Sequence, residues 1–159
     1  MTNQITVKMA LDAWNSQIQN ADKLFASLSD EQLQKEVAPG RNRGTYLLGH
    51  LTAVHDRMLP LLNLGEQNFP QLNETFLSKP DKAVVDVPTV AELKSYWTKT
   101  NETLSSHFSK LNADEWFQRH TSVSEEDFNK EPHRNKLNII ITRTNHLTYH
   151  LGQLNFLKN

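Results

Sequence analysis

His146 and His150 stand four residues apart in Asn145-His-Leu-Thr-Tyr-His-Leu-Gly-Gln-Leu154. A separation of four puts two side chains on one face of an α-helix, neighbours one turn apart. Two imidazoles so placed can share a divalent metal, because imidazole suits Zn, Ni or Fe and needs no thiolate beside it. The spacing alone is a weak signal. With His at 7 of 159 positions, chance supplies roughly 0.3 such pairs per chain, the usual hazard of short motifs. The corroborating residue is His50, in Tyr46-Leu-Leu-Gly-His-Leu51. It falls three residues after Leu47 and four before Val54, on the apolar side of a second helix.

Each histidine also has a reading without a metal. His50 alone fits a core histidine hydrogen-bonded to a neighbouring helix, and His146 with His150 fits a pair at a helix boundary. Taken together they favour a shared ligand, since burying three imidazoles without a partner is costly. Bundle cores place metal sites with side chains from facing helices. Three neutral imidazoles leave a coordination position open, the mark of a catalytic rather than a closed structural site. A metal held that way lowers the pKa of bound water to about 7. Asp56 and Tyr149 are near the ligands only in sequence, Tyr149 being about 100° around the helix from His150, so neither is assigned as general base.

The other histidines do not join the set. His55 is about 140° around the helix from His50, so both cannot face one ion without distortion. His107, His120 and His133 lie at a helix boundary or in irregular segments and are expected to be solvated, as is the Asp56-Arg57 pair. No Gly-x-Ser-x-Gly, phosphate-cradling glycine loop or dinucleotide fingerprint occurs.

Four helices must position these ligands. Val7, Leu11, Trp14, Ile18, Ala21, Phe25 and Leu28 trace the first, which ends near Ser29-Asp30. Ala38-Pro-Gly40 breaks the chain, and the second helix is predicted from about Asn42 to Asn63, with Pro60 softening its last turn. From Leu64 to Pro88 no period is sustained, apart from one possible helical turn over Leu72–Leu77. Thr89-Val-Ala-Glu92 reads as a capping box opening a third helix that reaches about Leu111. A second irregular stretch follows, in which Ser124-Glu-Glu-Asp127 caps a local turn. The fourth helix spans about Asn135 to Leu157 and carries His146 and His150. Helices of about 20 residues, each about 30 Å long, with no credible strand, predict an all-α four-helix bundle. Gly49 and Gly152 sit beside the ligands, where a helical glycine signals close helix approach or access to a site.

Bulk properties narrow the classes. The length of 159 residues is that of one domain over 1–159. Hydrophobic residues at 37%, charged residues at 22% and a mean hydropathy of −0.61 indicate a globular chain rather than a disordered or membrane-embedded one. The N-terminal Met-Thr-Asn-Gln-Ile-Thr-Val-Lys lacks the apolar core of a secretory signal, so a cytoplasmic location is expected. With no cysteine, any metal must be held by His and carboxylate. A net charge of −1 with no basic cluster leaves no electrostatic footprint for nucleic acid.

Gly49-His-Leu-Thr-Ala-Val-His55, combined with His146-Leu-Thr-Tyr-His-Leu-Gly-Gln-Leu154, resembles the DinB/YfiT-like family of metal-dependent enzymes, over nearly the whole chain. The resemblance implies an up-down-down-up bundle with a long crossover between the second and third helices, which would be parallel. It implies His50, His146 and His150 as ligands of one nickel, zinc or iron ion, with water completing the shell. It further implies a small-molecule substrate, a low-molecular-weight thiol as partner in some relatives, and a homodimer. Trp116, Phe117 and Phe128, large aromatics in irregular segments, fit either an interface or packing under loops. The chain departs from many relatives in having Leu151 where they have Arg and Tyr46 where they have Trp, which leaves the pocket lining and the substrate open. The expected function is thus a metal-dependent hydrolase or thiol-dependent S-transferase. The rivals are a non-catalytic, stress-associated metal-binding bundle and a metal-free interaction module.

Overall fold

Thr89 and Glu92 show how the elements begin. In the computed structural model, which describes residues 2–158, the Thr89 hydroxyl accepts from the Glu92 N–H at 3.2 Å and the Glu92 carboxylate accepts from the Thr89 N–H at 2.8 Å. Two of the orphan donors of a helix start are thereby satisfied. In chain order the helices are α1 (Thr2–Ser27), α2 (Asp30–Leu33), α3 (Gly44–Asp56), α4 (Met58–Leu61), α5 (Val90–Phe108), α6 (Glu125–Lys130) and α7 (Lys136–Leu154). A π-helical turn covers Glu74–Ser78, and short 3₁₀ turns cover Glu115–Phe117 and Asn155–Lys158. Among the described residues there is no strand, only isolated bridges between Glu36 and Arg43 and between Arg119 and Asn135. The protein is an all-α bundle of four long helices, α1, α3, α5 and α7. No helix among the described residues is long and apolar enough to cross a membrane.

The second predicted helix is in fact two. α3 stops at Asp56 and α4 resumes at Met58. Pro60 accounts for the break, because a proline ring clashes with the carbonyl four residues back, here that of Asp56, and donates no hydrogen bond to it. The predicted turn over Leu72–Leu77 is the π-helical turn, and Ser124 caps α6 by accepting from the Asp127 N–H at 3.1 Å.

Two apolar clusters fill the interior. One joins Leu24, Leu28, Leu47, Leu51, Trp97, Leu147 and Leu154, and the other joins Val7, Trp14, Met58, Leu104, Phe108, Trp116 and Ile140. The same clusters give the helix directions. α3 with its continuation α4, and α5, pass from the first cluster to the second along the chain, whereas α1 and α7 pass from the second to the first. Gly44 at the start of α3 accordingly lies against Leu157 beyond the end of α7. Between the clusters His55 is fully buried, flanked by Trp14 and Trp97 with ring centroids at 4.8 and 5.0 Å.

Two expectations of solvation fail. Asp56 is fully buried, and its carboxylate accepts from the backbone N–H of Asn68 at 2.9 Å and of Phe69 at 2.8 Å. It thereby fastens the start of the long connection to the end of α3, while Arg57 beside it is exposed. His120 is buried because its loop folds back on α4, where the Thr121 N–H donates to the Leu61 carbonyl at 2.9 Å. His133 is exposed and His107 is partly so, as expected. Trp116 is buried against Phe108 at a centroid distance of 5.1 Å and Phe117 packs against the same second cluster, while Phe128 is half-buried.

Candidate metal centre

α3 and α7 bring His50, His146 and His150 together. The Nε2 of His146 lies 3.1 Å from the Nε2 of His50 and 3.1 Å from the Nε2 of His150. Each of the three offers a ligand atom, and these atoms lie within 4.8 Å of one another. Their other ring nitrogens explain the convergence. His50 Nδ1 is 2.9 Å from the carbonyl oxygen of Phe76, and His150 Nδ1 is 2.8 Å from Oε1 of Gln153. A carbonyl oxygen only accepts, so His50 carries its proton on Nδ1. The Gln153 amide nitrogen faces the Tyr149 hydroxyl at 3.3 Å, which leaves its oxygen to accept from His150.

Both Nε2 atoms therefore present lone pairs, and His146 has one Nε2 to set between them. A single N–H satisfies at most one of the two, whereas a cation satisfies all three. Ligand nitrogens about a tetrahedral zinc at its usual bond length stand roughly 3.3 Å apart, close to the spacing seen here. The donor set thus fits a divalent metal, and Phe76 and Gln153 are the outer partners that fix tautomer and ring orientation.

The electrostatics point the same way. Burial first, then His150, His50 and Arg143, pushes the His146 imidazolium down to a pKa of about 4. Burial also lowers that of His150, against the opposing hydrogen bond to Gln153. These rings are neutral at neutral pH, the state that ligates.

The irregular connection completes the site. Phe76 is buried over Gly49, where a β-carbon would stand 2.3 Å from the Phe76 ring. Only glycine lets the strap approach closely enough for the Phe76 carbonyl to reach His50. Gly152, in contrast, is exposed with open space beside it. The strap is further held by the Tyr46 hydroxyl donating to the Lys79 carbonyl at 2.7 Å and by the Arg43–Asp81 pair, also at 2.7 Å. Tyr46 stacks on His50 at 6.3 Å.

The DinB superfamily model matches residues 13–154. The chain belongs to the DinB superfamily. Among curated proteins none matches it. The family's two histidine motifs fall on α3 and α7 of this bundle, and the geometry joins them at one point. His55, inside the first motif, does not join. It turns to Asn101, 2.9 Å away on α5, and burial pushes its pKa down to about 3. Leu151, where many relatives carry Arg, lies in the apolar core. Of the residues near the ligands in sequence, Asp56 is engaged with the strap. Tyr149 is exposed with its ring centroid 5.1 Å from that of His150. Gln153 escaped the sequence reading although its position three after His150 was a usable signal. The Phe76 carbonyl left no signal, being backbone.

Proposed function

We propose that this DinB-superfamily protein is a metal-dependent enzyme acting on a small molecule, by hydrolysis or by transfer of a low-molecular-weight thiol. His50, His146 and His150 would hold one divalent cation, Zn, Ni or Fe. The observation that carries this reading is the convergence of three Nε2 atoms, two of them fixed as lone-pair donors by Phe76 and Gln153. A metal bound there supplies Lewis acidity at an open position. The protein's own part is to disfavour the charged forms of His146 and His150 by burial, to hold the rings of His50 and His150 in orientation through Phe76 and Gln153, and to offer the exposed Tyr149 hydroxyl beside His150.

The rival reading, a metal-binding bundle without catalysis, draws on Asp56. This carboxylate, next to the site in sequence, is spent on Gln67, Asn68 and Phe69 and is not free to act as a base. Two measurements decide. Metal analysis of untagged protein should give one ion per chain, and its absence together with no Zn or Ni uptake in calorimetry at pH 7.5 overturns the site. A screen of hydrolytic and thiol-transfer substrates should then show turnover that the triple His→Ala variant lacks. No turnover in a metal-loaded protein favours the rival.

A further inference from the structure

The ligand stripes on α3 and α7 continue past the histidines into a cleft. On α3, Val54 lies one turn beyond His50 and Arg57 follows at the helix end. On α7, Arg143 lies one turn before His146. Because the two helices run in opposite directions, these residues meet, and with Leu61, Leu77 and Ser122 they line a cleft of about 410 Å³. That volume falls in the range of small-molecule sites.

The chemistry of the lining is selective. Arg57 and Arg143 have no ion-pair or hydrogen-bond partner among the described residues, and no acidic side chain lines the cleft. The Arg143 Nε is buried without an acceptor, an arrangement that native proteins avoid unless something else fills it. Burial first, and then the charge of Arg57, disfavours the Arg143 cation. Two cations facing one cleft without a counter-charge call for an anion. Val54, Leu61 and Leu77 supply apolar wall beside them, so the anion needs an apolar body.

We propose that this cleft seats the carboxylate of a small organic acid with an apolar body, held by Arg143, one helical turn from His146, and by Arg57, about two turns beyond His50. A guanidinium fork matches the two oxygens of a carboxylate; the Ser122 hydroxyl at the rim is taken up by His120 Nδ1, 2.9 Å away. The acid's role as substrate rests on the metal-enzyme reading above; its binding in the cleft does not.

Titration calorimetry of the full chain at pH 7.5 and low salt tests this, with phenylacetate as the probe. Phenylacetate should bind, and neutral phenylacetamide and inorganic phosphate should each bind at least about tenfold more weakly, the loss of a charge-assisted hydrogen bond or of the apolar wall. Arg143→Gln and Arg57→Gln should each weaken phenylacetate by about tenfold while keeping metal content unchanged. Arg57 is exposed, so its variant remains informative should Arg143→Gln fail to fold. No phenylacetate binding by the wild type, equal binding by the Arg57→Gln variant, or equal binding of the amide or of phosphate overturns the proposal. Binding lost in His146→Ala but kept in both arginine variants places the acid on the metal and overturns it as well. A wild type that takes up no metal yet binds phenylacetate through the two arginines removes the enzyme reading and leaves the cleft assignment standing.

Discussion

Gly49→Ala is the sharpest test of how the strap and the metal centre are joined. The new β-carbon would stand 2.3 Å from Cε1 and 2.5 Å from Cδ1 of Phe76. Phe76 is 2% exposed, so its ring cannot swing out into solvent without disturbing its neighbours. Overpacking of this kind costs about 1–3 kcal/mol, against which Ala in a helix gains about 1 kcal/mol over Gly. The net loss should be roughly 0–2 kcal/mol, or up to about 8 °C in Tm for a chain of this size. The larger effect should fall on the metal. Moving Phe76 withdraws its carbonyl from His50 Nδ1, and loss of such an outer partner costs 10–100-fold in affinity. Gly152→Ala is the matched control, with nothing within 4 Å of its β-carbon. It should stabilise by roughly 0.5–1 kcal/mol and leave affinity unchanged. Calorimetric Kd values for zinc and thermal melts of both variants check this. Gly49→Ala with wild-type affinity would falsify the link between strap and site.

The other predictions concern ligands, acid and assembly. His50→Ala, His146→Ala and His150→Ala should each lose most metal affinity, whereas His107→Ala and His133→Ala should keep it; unchanged zinc binding in His50→Ala means the site is assembled differently. His55 is pushed down to about 3 from its ordinary 6.5, so the unfolded chain takes up the proton first as pH falls. The stability it contributes is complete above about pH 6.5 and is lost toward pH 3, amounting to about 2 kcal/mol between pH 7.5 and 5. Urea melts of the metal-stripped protein should show this loss, and should not in His55→Asn. A homodimer is predicted from the family resemblance; Trp116 and Phe117 pack into the second core cluster and do not argue for it. Light scattering at micromolar concentration giving the 18.3 kDa of one chain refutes it.

What was legible in the sequence was whatever repeats or caps locally. The capping box at Thr89 and Glu92, the turn at Ser124 and the apolar stripes of four helices all follow from contacts within a few residues. So does the pairing of His146 with His150, and helical phase alone sets His50 apart from His55. What was not legible is tertiary. Asp56 reads as part of a solvated helix face because its partners, the Asn68 and Phe69 N–H groups, lie in a segment without periodicity. His120 reads as surface because nothing near it announces that its loop returns to Leu61. The break at Arg57 is visible in Pro60, yet a proline so near a helix end reads equally as a softened last turn.

The site therefore depends on a segment with no regular pattern, and Asp56 measures how much. Its carboxylate holds the near end of the strap, while Tyr46 and Arg43 hold the far end near Lys79 and Asp81. Asp56→Ala leaves the Asn68 and Phe69 N–H groups without their acceptor, at about 1–3 kcal/mol each when buried. A stability loss of about 3 kcal/mol is expected, read from urea melts. Zinc affinity should fall less than tenfold, because Phe76 lies between the two anchors and the far one remains. It should also fall less than in Gly49→Ala, which acts on Phe76 directly. If Asp56→Ala folds and yet loses more metal affinity than Gly49→Ala, the strap is positioned from its near end, and the role given to Tyr46 and Arg43 in holding the Phe76 carbonyl on His50 is wrong.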